Sequence, residues 1–174
     1  QTNEENPHDK MDPKTSAEIV ISHVLDGVAM ASRGGIPDRI IDFITEHHGT
    51  NLVTYFFRQA SQADNGTPVR EEDYRYPGPR PQSRETAIVM LADSIEAAVR
   101  ANRPSTQAEM ERVIRQIMND RLVGGQLDES DLTLRDLDKI REAFIGILQG
   151  VFHPRIQYPD KVMRRKNQES NASP

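Results

Sequence analysis

The chain contains no cysteine among its 174 residues, which excludes disulfide staples and thiolate metal sites, so any metal must be held by imidazole and carboxylate. Tryptophan is also absent, and five Phe and four Tyr leave core building to aliphatic side chains. Positive charge is not in excess: 22 Lys and Arg stand against 27 Asp and Glu, a formal net charge of −5. A general nucleic-acid binder carries a basic face, so this balance argues against a nucleic-acid polymer as partner. No apolar run approaches the roughly 18 residues needed to cross a bilayer, and there is no signal-peptide pattern, so the segment is expected to be soluble and to make no membrane contact. Strand-like alternation of useful length is missing as well, which points to an all-α fold.

What is present is a succession of helix signals in one domain's length of chain. Asp12-Pro13 is a capping side chain followed by a proline at the first helical position. From there Ala17, Val20, Val24, Val28 and Ala31 recur at three- and four-residue spacing, predicting an amphipathic helix to about Ser32 that Gly34-Gly35 stops. A second helix opens at Ile36-Pro37, carries Ile40, Ile41 and Ile44, and ends at His47-His48-Gly49. A third runs from about Leu52 to Ala63. Residues 64–82 are rich in Gly and Pro and form a long loop. Ser83 to Arg100 is apolar nearly all round, as in a buried central helix. Thr106 with Glu109 and Thr133 with Asp136 read as capping boxes for helices to about Leu122 and Leu148. Lys161 to Pro174 is polar and basic and is expected to be a disordered tail. The opening Gln1–Pro7 has neither an initiator Met nor a helix start, so the chain is expected to be a piece of a longer protein.

Three features could carry chemistry. Asp93 is the lone charge between Glu85 and Glu96; it is either a cation ligand or a helix-surface acid paired with Arg84 or Arg100. His47 and His48 are adjacent and project about 100° apart on a helix, so they can approach one ion only where the helix is ending. The competing account is that a helix C-terminus favours imidazolium through its dipole. His23 lies at the margin of the first helix's apolar stripe, beside Gly27 one turn on, where a boundary histidine with no ligand role is equally at home. Taken together, three His and one Asp on separate helices make a coherent donor set for Mn²⁺, Fe or Zn²⁺.

The motifs Asn6-Pro-His-Asp-Lys10, Ser22-His-Val24, Ile41-Asp-Phe-Ile44, His47-His-Gly-Thr50, Tyr74-Arg-Tyr-Pro-Gly-Pro79 and Leu91-Ala-Asp-Ser94 occur in that order. Gly125-Gln-Leu-Asp128, Asp131-Leu-Thr-Leu134 and Phe152-His-Pro-Arg155 continue the series. In this combination the chain resembles the cytosolic HD domain of the PgpH-type cyclic di-AMP phosphodiesterases, seven-transmembrane proteins with an intracellular hydrolase of the HD superfamily. The resemblance covers residues 1 to about 159. It implies an HD-domain-like helical bundle of about six helices, incomplete at the N-terminus, with residues 1–160 as the C-terminal part of that domain and 161–174 as the tail. It implies two divalent ions, manganese or iron, in the intact domain, with His23, His47 and His48 holding one and Asp93 the other.

The family's remaining ligands, an upstream His and the His-Asp pair whose Asp bridges the ions, are absent from this chain. His8-Asp9 falls in a segment the family has in addition to the true pair and is expected to be loop structure; His153 is expected to be structural too. At most one ion is therefore expected here. The implied reaction is two-metal activation of water to open cyclic di-AMP to linear pApA, with activity expected to be lost in this piece. Arg75, Tyr76 and Arg80 suit phosphate or adenine contacts by position and chemistry, although a rigid loop packing on the bundle explains them equally well. A cyclic dinucleotide is the implied partner, a homodimer stays open, and the location is the cytoplasmic side of a bacterial membrane. Three other functions remain: an all-α regulatory module without catalysis, an HD hydrolase of another nucleotide or phosphate ester, and a metal-free helical adaptor.

Overall fold

A computed structural model of the protein describes residues 11–63 and 68–151. Among the described residues six α-helices follow one another: α1 (Pro13–Arg33), α2 (Asp38–Glu46), α3 (Thr54–Gln62), α4 (Arg84–Asn102), α5 (Gln107–Val123) and α6 (Leu134–Val151), with a short 3-10 helix, Glu71–Tyr74, before α4. Among the described residues the one β-type pairing is a single bridge between Leu52 and Arg75. The expected tail and the segments around His8-Asp9 and His153 lie outside the described residues.

The helix starts follow from side chains that satisfy orphan backbone N–H groups. Asp12 Oδ2 accepts from Lys14 N and Thr15 N at 3.0 and 3.1 Å. Ser83 and Thr86 form a reciprocal box at the start of α4. Thr133 and Asp136 do the same for α6: Asp136 N donates to Thr133 Oγ1 at 3.2 Å, and Thr133 N to Asp136 Oδ2 at 3.1 Å. At α5 the expected box is shifted. Thr106 Oγ1 accepts from Glu109 N, but the Glu109 carboxylate accepts from Ser105 N, one residue before the cap.

Two apolar clusters form the core. One joins α4, α5 and α6 through Met90, Leu91, Ile95, Val99, Ile114 and their neighbours. The other joins α1, α3 and the 3-10 helix through Ala17, Phe56 and Tyr74. The second helix lies between them, against α1 on one side and α4 on the other. The expectation that α4 is buried all round is corrected: Ala87, Leu91, Ile95 and Val99 face the core, while Ile88 and Val89 are 37% and 38% exposed. A helix packed against neighbours on part of its circumference leaves its remaining apolar residues uncovered.

Among the described residues Ser16 Oγ is the one buried side-chain polar atom with no hydrogen-bond partner. A buried hydroxyl without a partner is destabilising by about 1 kcal/mol or more. Ser16→Ala is therefore expected to raise the calorimetric unfolding midpoint by about 2–4 °C, the shift that ~1 kcal/mol produces in a chain of this size. An unchanged or lowered midpoint would contradict that account.

Candidate metal centre

The centre is assembled where α1, the end of α2 and α4 meet. Gly27 on α1 allows the close approach of α2: a β-carbon there would stand 2.9 Å from Ile44 Cγ2. One turn earlier on the same helix, His23 is thereby brought against the end of α2. The last residue of α2 is Glu46, so His47 and His48 stand in the turn that follows. The two rings lie side by side there, with centroids 4.0 Å apart. The turn continues through Gly49 at φ +54°, a left-handed conformation that glycine adopts without strain.

His23, His47 and His48 each offer a ring nitrogen within 4.8 Å of the others. The tautomers of two are fixed by their neighbours. His23 Nδ1 donates to Val20 O and His47 Nδ1 donates to Ile44 O, the latter at 2.7 Å, because a carbonyl can only accept. Each Nε2 is then a bare lone pair when the ring is neutral, and the two Nε2 atoms face one another at 3.3 Å. Two lone pairs at that distance repel unless a cation or a shared proton lies between them. Ligands about 2.1 Å from one ion, at tetrahedral or octahedral angles, stand about 3.0–3.4 Å apart, so the observed separation fits one edge of a coordination shell. Anchoring Nδ1–H on a carbonyl is also how metal-binding histidines are usually oriented.

His48 completes the cluster. Burial, and then the neighbouring His47 and His23 imidazoles and the Arg121 guanidinium, push it down to about 3, which keeps its ring neutral and able to donate a lone pair. Asp93, on α4, has Oδ2 3.7 Å from His48 Nδ1. Since His48 is neutral, this contact is a carboxylate beside a polar ring rather than an ion pair. The Asp93 side chain is 47% exposed, so it does not bear the cost of a buried charge. Nor do Arg84 and Arg100 claim it: they pair with Asp136 and Glu96. Thus all four sequence candidates converge, with Asp93 beside the compact imidazole group rather than within it.

The Pro-rich loop divides. Val53 N donates to Tyr74 O at 2.8 Å and Tyr76 N to Asn51 O at 3.0 Å, tying the loop alongside the turn after α2. Tyr76 is thereby laid on His48, with ring centroids 4.2 Å apart and planes 25° from parallel. Burial, reinforced by the Asp93 carboxylate, pushes the Tyr76 hydroxyl up to about 12, so it stays protonated. The other two loop candidates hold protein carboxylates. Arg75 bonds Glu71 and also donates to Thr50 O at 2.8 Å, while Arg80 lies 3.9 Å from both Asp128 and Glu129.

Sequence reasoning missed three supporting residues. Gln126 is buried, accepts from Thr50 N at 2.9 Å and donates to Thr50 Oγ1 at 2.9 Å, bracing the turn from 76 positions away. Glu46 is buried and accepts from Gln82 N at 2.8 Å, fixing the end of α2 to the approach to α4. Arg121 reaches the Asp93-Ser94 step of α4 from α5. The Gly125-Gln-Leu-Asp128 motif was the available signal for Gln126; for Glu46 it was adjacency to His47.

The HD domain family matches residues 3–98, more than half of the chain. The cyclic-di-AMP phosphodiesterase PgpH of Bacillus subtilis is 42% identical over 166 residues, which cover 95% of this chain and 23% of that protein. The chain thus spans less than a quarter of that relative's length. The crystal structure of the HD domain of the L. monocytogenes phosphodiesterase PgpH superposes with a TM-score of 0.81 at 40% identity, covering 88% of this chain and 71% of that one. The same domain in complex with cyclic-di-AMP also gives 0.81 at 40% identity, covering 87% and 70%. HD domains are metal-dependent, and the converging imidazoles suit that chemistry. With its helices, its histidine cluster and these matches in agreement, this chain belongs to the HD domain family.

Proposed function

We propose that the chain is the metal-holding half of a phosphodiesterase site that hydrolyses a cyclic dinucleotide, cyclic di-AMP, to linear pApA. The observation that carries this reading is the 3.3 Å approach of two imidazole lone pairs whose other nitrogens are committed to backbone carbonyls. His23, His47 and His48 would hold one divalent ion, manganese or iron, and Asp93 would contribute to a second. Such ions supply Lewis acidity toward a phosphoryl oxygen and make water a competent nucleophile near neutral pH. The chain's own residues orient that chemistry. Tyr76 stacks on His48 and holds its ring in place, while Gln126 braces the turn that carries both adjacent histidines. Arg75 and Arg80 would reach a phosphate or an adenine only on release from their carboxylate partners.

Hydrolysis adds water across one phosphodiester: a P–O bond breaks, leaving a hydroxyl on one ribose and a terminal phosphate on the other. The second ion's remaining ligands would come from residues upstream of this chain, as would membrane anchoring. The chain spans less than a quarter of its Bacillus relative, and among the described residues no helix is long and apolar enough to cross a membrane.

The test compares this chain with a protein extended upstream. The extended form is expected to convert cyclic di-AMP to pApA with manganese present and to hold two ions per chain by elemental analysis. The 174-residue chain is expected to hold at most one and to turn over far more slowly. Comparable turnover by the two would sink the division of ligands. An extended protein that binds manganese yet leaves cyclic di-AMP intact would sink the substrate.

A further inference from the structure

Arg121 lies in the last turn of α5, half-buried, with Nε and Nη2 donating to Ser94 Oγ at 3.3 and 3.2 Å. Ser94 directly follows Asp93 and is itself buried. The guanidinium is close enough to the centre for its charge to act on His48 and to be felt against Asp93. Its situation differs from that of Arg70, Arg75, Arg80, Arg84, Arg100 and Arg141, each of which has a carboxylate within 4.0 Å. Among the described residues Arg121 has none, and a neutral hydroxyl is its only side-chain acceptor.

Burial pushes the Arg121 guanidinium below its ordinary range, and the Asp120 and Asp93 carboxylates, which draw it back up, do so without a direct ion pair. The Ser94 contacts use one edge of the guanidinium. Nη1 and the second proton of Nη2 form the other edge, the fork that matches two oxygens of a phosphate. With a divalent ion held there, Asp93 and this guanidinium would leave the centre positive, which would call for an anion.

We propose that Arg121 is an anion-binding residue of the metal centre, held by Ser94 so that its free edge takes the non-bridging oxygens of a phosphodiester. The phosphate chemistry rests on the geometry of Arg121, whereas the choice of cyclic di-AMP as its source rests on the function proposed above.

The manganese-loaded chain is titrated with cyclic di-AMP and, separately, with inorganic phosphate, by calorimetry. For Arg121→Met the dissociation constant for cyclic di-AMP is expected to rise at least tenfold. Arg121→Lys, which keeps the charge but loses the fork, should fall between. Manganese affinity should be unchanged or tighter in Arg121→Met, because a nearby positive charge opposes a cation, and unchanged in Arg121→Lys. Ser94→Ala is a further check on structure: it removes the α4–α5 hydrogen bonds but leaves the guanidinium, and should weaken ligand binding less than Arg121→Met.

Cyclic di-AMP binding equal to wild type in Arg121→Met overturns the proposal. So does a parallel loss of manganese affinity, which would mark Arg121 as a residue that merely holds α4 in place. A wild-type chain that binds inorganic phosphate through Arg121 but not cyclic di-AMP removes the substrate assignment and leaves the anion site standing. One that binds neither overturns both.

Discussion

Replacing His47 by alanine is expected to weaken manganese binding by more than about a hundredfold while leaving the helices folded. Changes to groups that merely orient a metal ligand cost roughly 10–100-fold in affinity, and removing a donor from a three-imidazole group costs at least as much. His47 is the donor to remove because its Nε2 forms the tightest edge of the cluster, 3.3 Å from that of His23. Its side chain contributes one local bond, to Ile44 O in the turn before it, so truncation removes the lone pair without opening the core. The measurement is titration of a chelator-stripped chain with Mn²⁺, together with thermal unfolding with and without the metal. At a hundred times its dissociation constant a ligand stabilises the folded state by about 2.7 kcal/mol, so wild type should show a clear metal-dependent rise in midpoint. The His47→Ala variant should show at most a small one, about 0.4 kcal/mol or less.

Asp93→Asn sets the scale for that result. Asp93 stands 3.7 Å from His48 and outside the three mutually close imidazoles, so its loss should reduce the first ion's affinity less than about tenfold. Equal losses in the two variants would mean that Asp93 belongs to the same shell as the histidines. Retention of full manganese affinity by His47→Ala would remove the metal centre altogether.

The parts of this centre were legible in the sequence to different degrees, for physical reasons. Helix starts depend on side chains a few residues away. Asp12, Thr106 and Thr133 therefore announced α1, α5 and α6 within a residue or two. The adjacency of His47 and His48 was informative because two neighbouring imidazoles can share an ion only at a helix end, and a glycine followed them. Convergence with His23 was harder to derive. It depends on how closely α1 crosses α2, which the absence of a β-carbon at Gly27 permits. The exposure of Ile88 and Val89 was not legible from their types, since a short apolar run does not record which sides its neighbours cover. Gln126, Glu46 and Arg121 were missed because a buried polar side chain is defined by its partner, and each of these partners lies 27 or more positions away. Tyr76 was read as either a substrate contact or part of a rigid loop packed on the bundle; the fold lays its ring on His48, a contact that periodicity cannot encode.

A side chain at Gly49 is expected to damage both stability and metal binding, and Gly49→Val more than any other single glycine replacement in the centre. The residue sits at φ +54°, where a non-glycine residue costs roughly 1–2 kcal/mol, and more if it is β-branched. The space is also filled: a β-carbon would stand 2.5 Å from Gln126 Oε1 and 2.7 Å from Met90 Cε. Met90 ends in a flexible chain and can give way. Gln126 cannot do so freely, because that same oxygen accepts from Thr50 N and its amide nitrogen donates to Thr50 Oγ1. Displacing it leaves buried polar groups unpaired, at about 1–3 kcal/mol. Together these give a loss on the order of 2–5 kcal/mol, a large share of the roughly 5–15 kcal/mol that holds a typical domain folded. The unfolding midpoint should fall by about 4–20 °C in calorimetry. Because Gly49 directly follows His48, manganese affinity should fall with it. Gly35 separates strain from clash: it too has positive φ, +68°, but a β-carbon there meets nothing within 4 Å. Gly35→Ala should therefore cost only the backbone term, about 1 kcal/mol, and leave manganese affinity unchanged. If Gly49→Val and Gly35→Ala were equally mild, the Gln126 brace would have no part in holding the histidines.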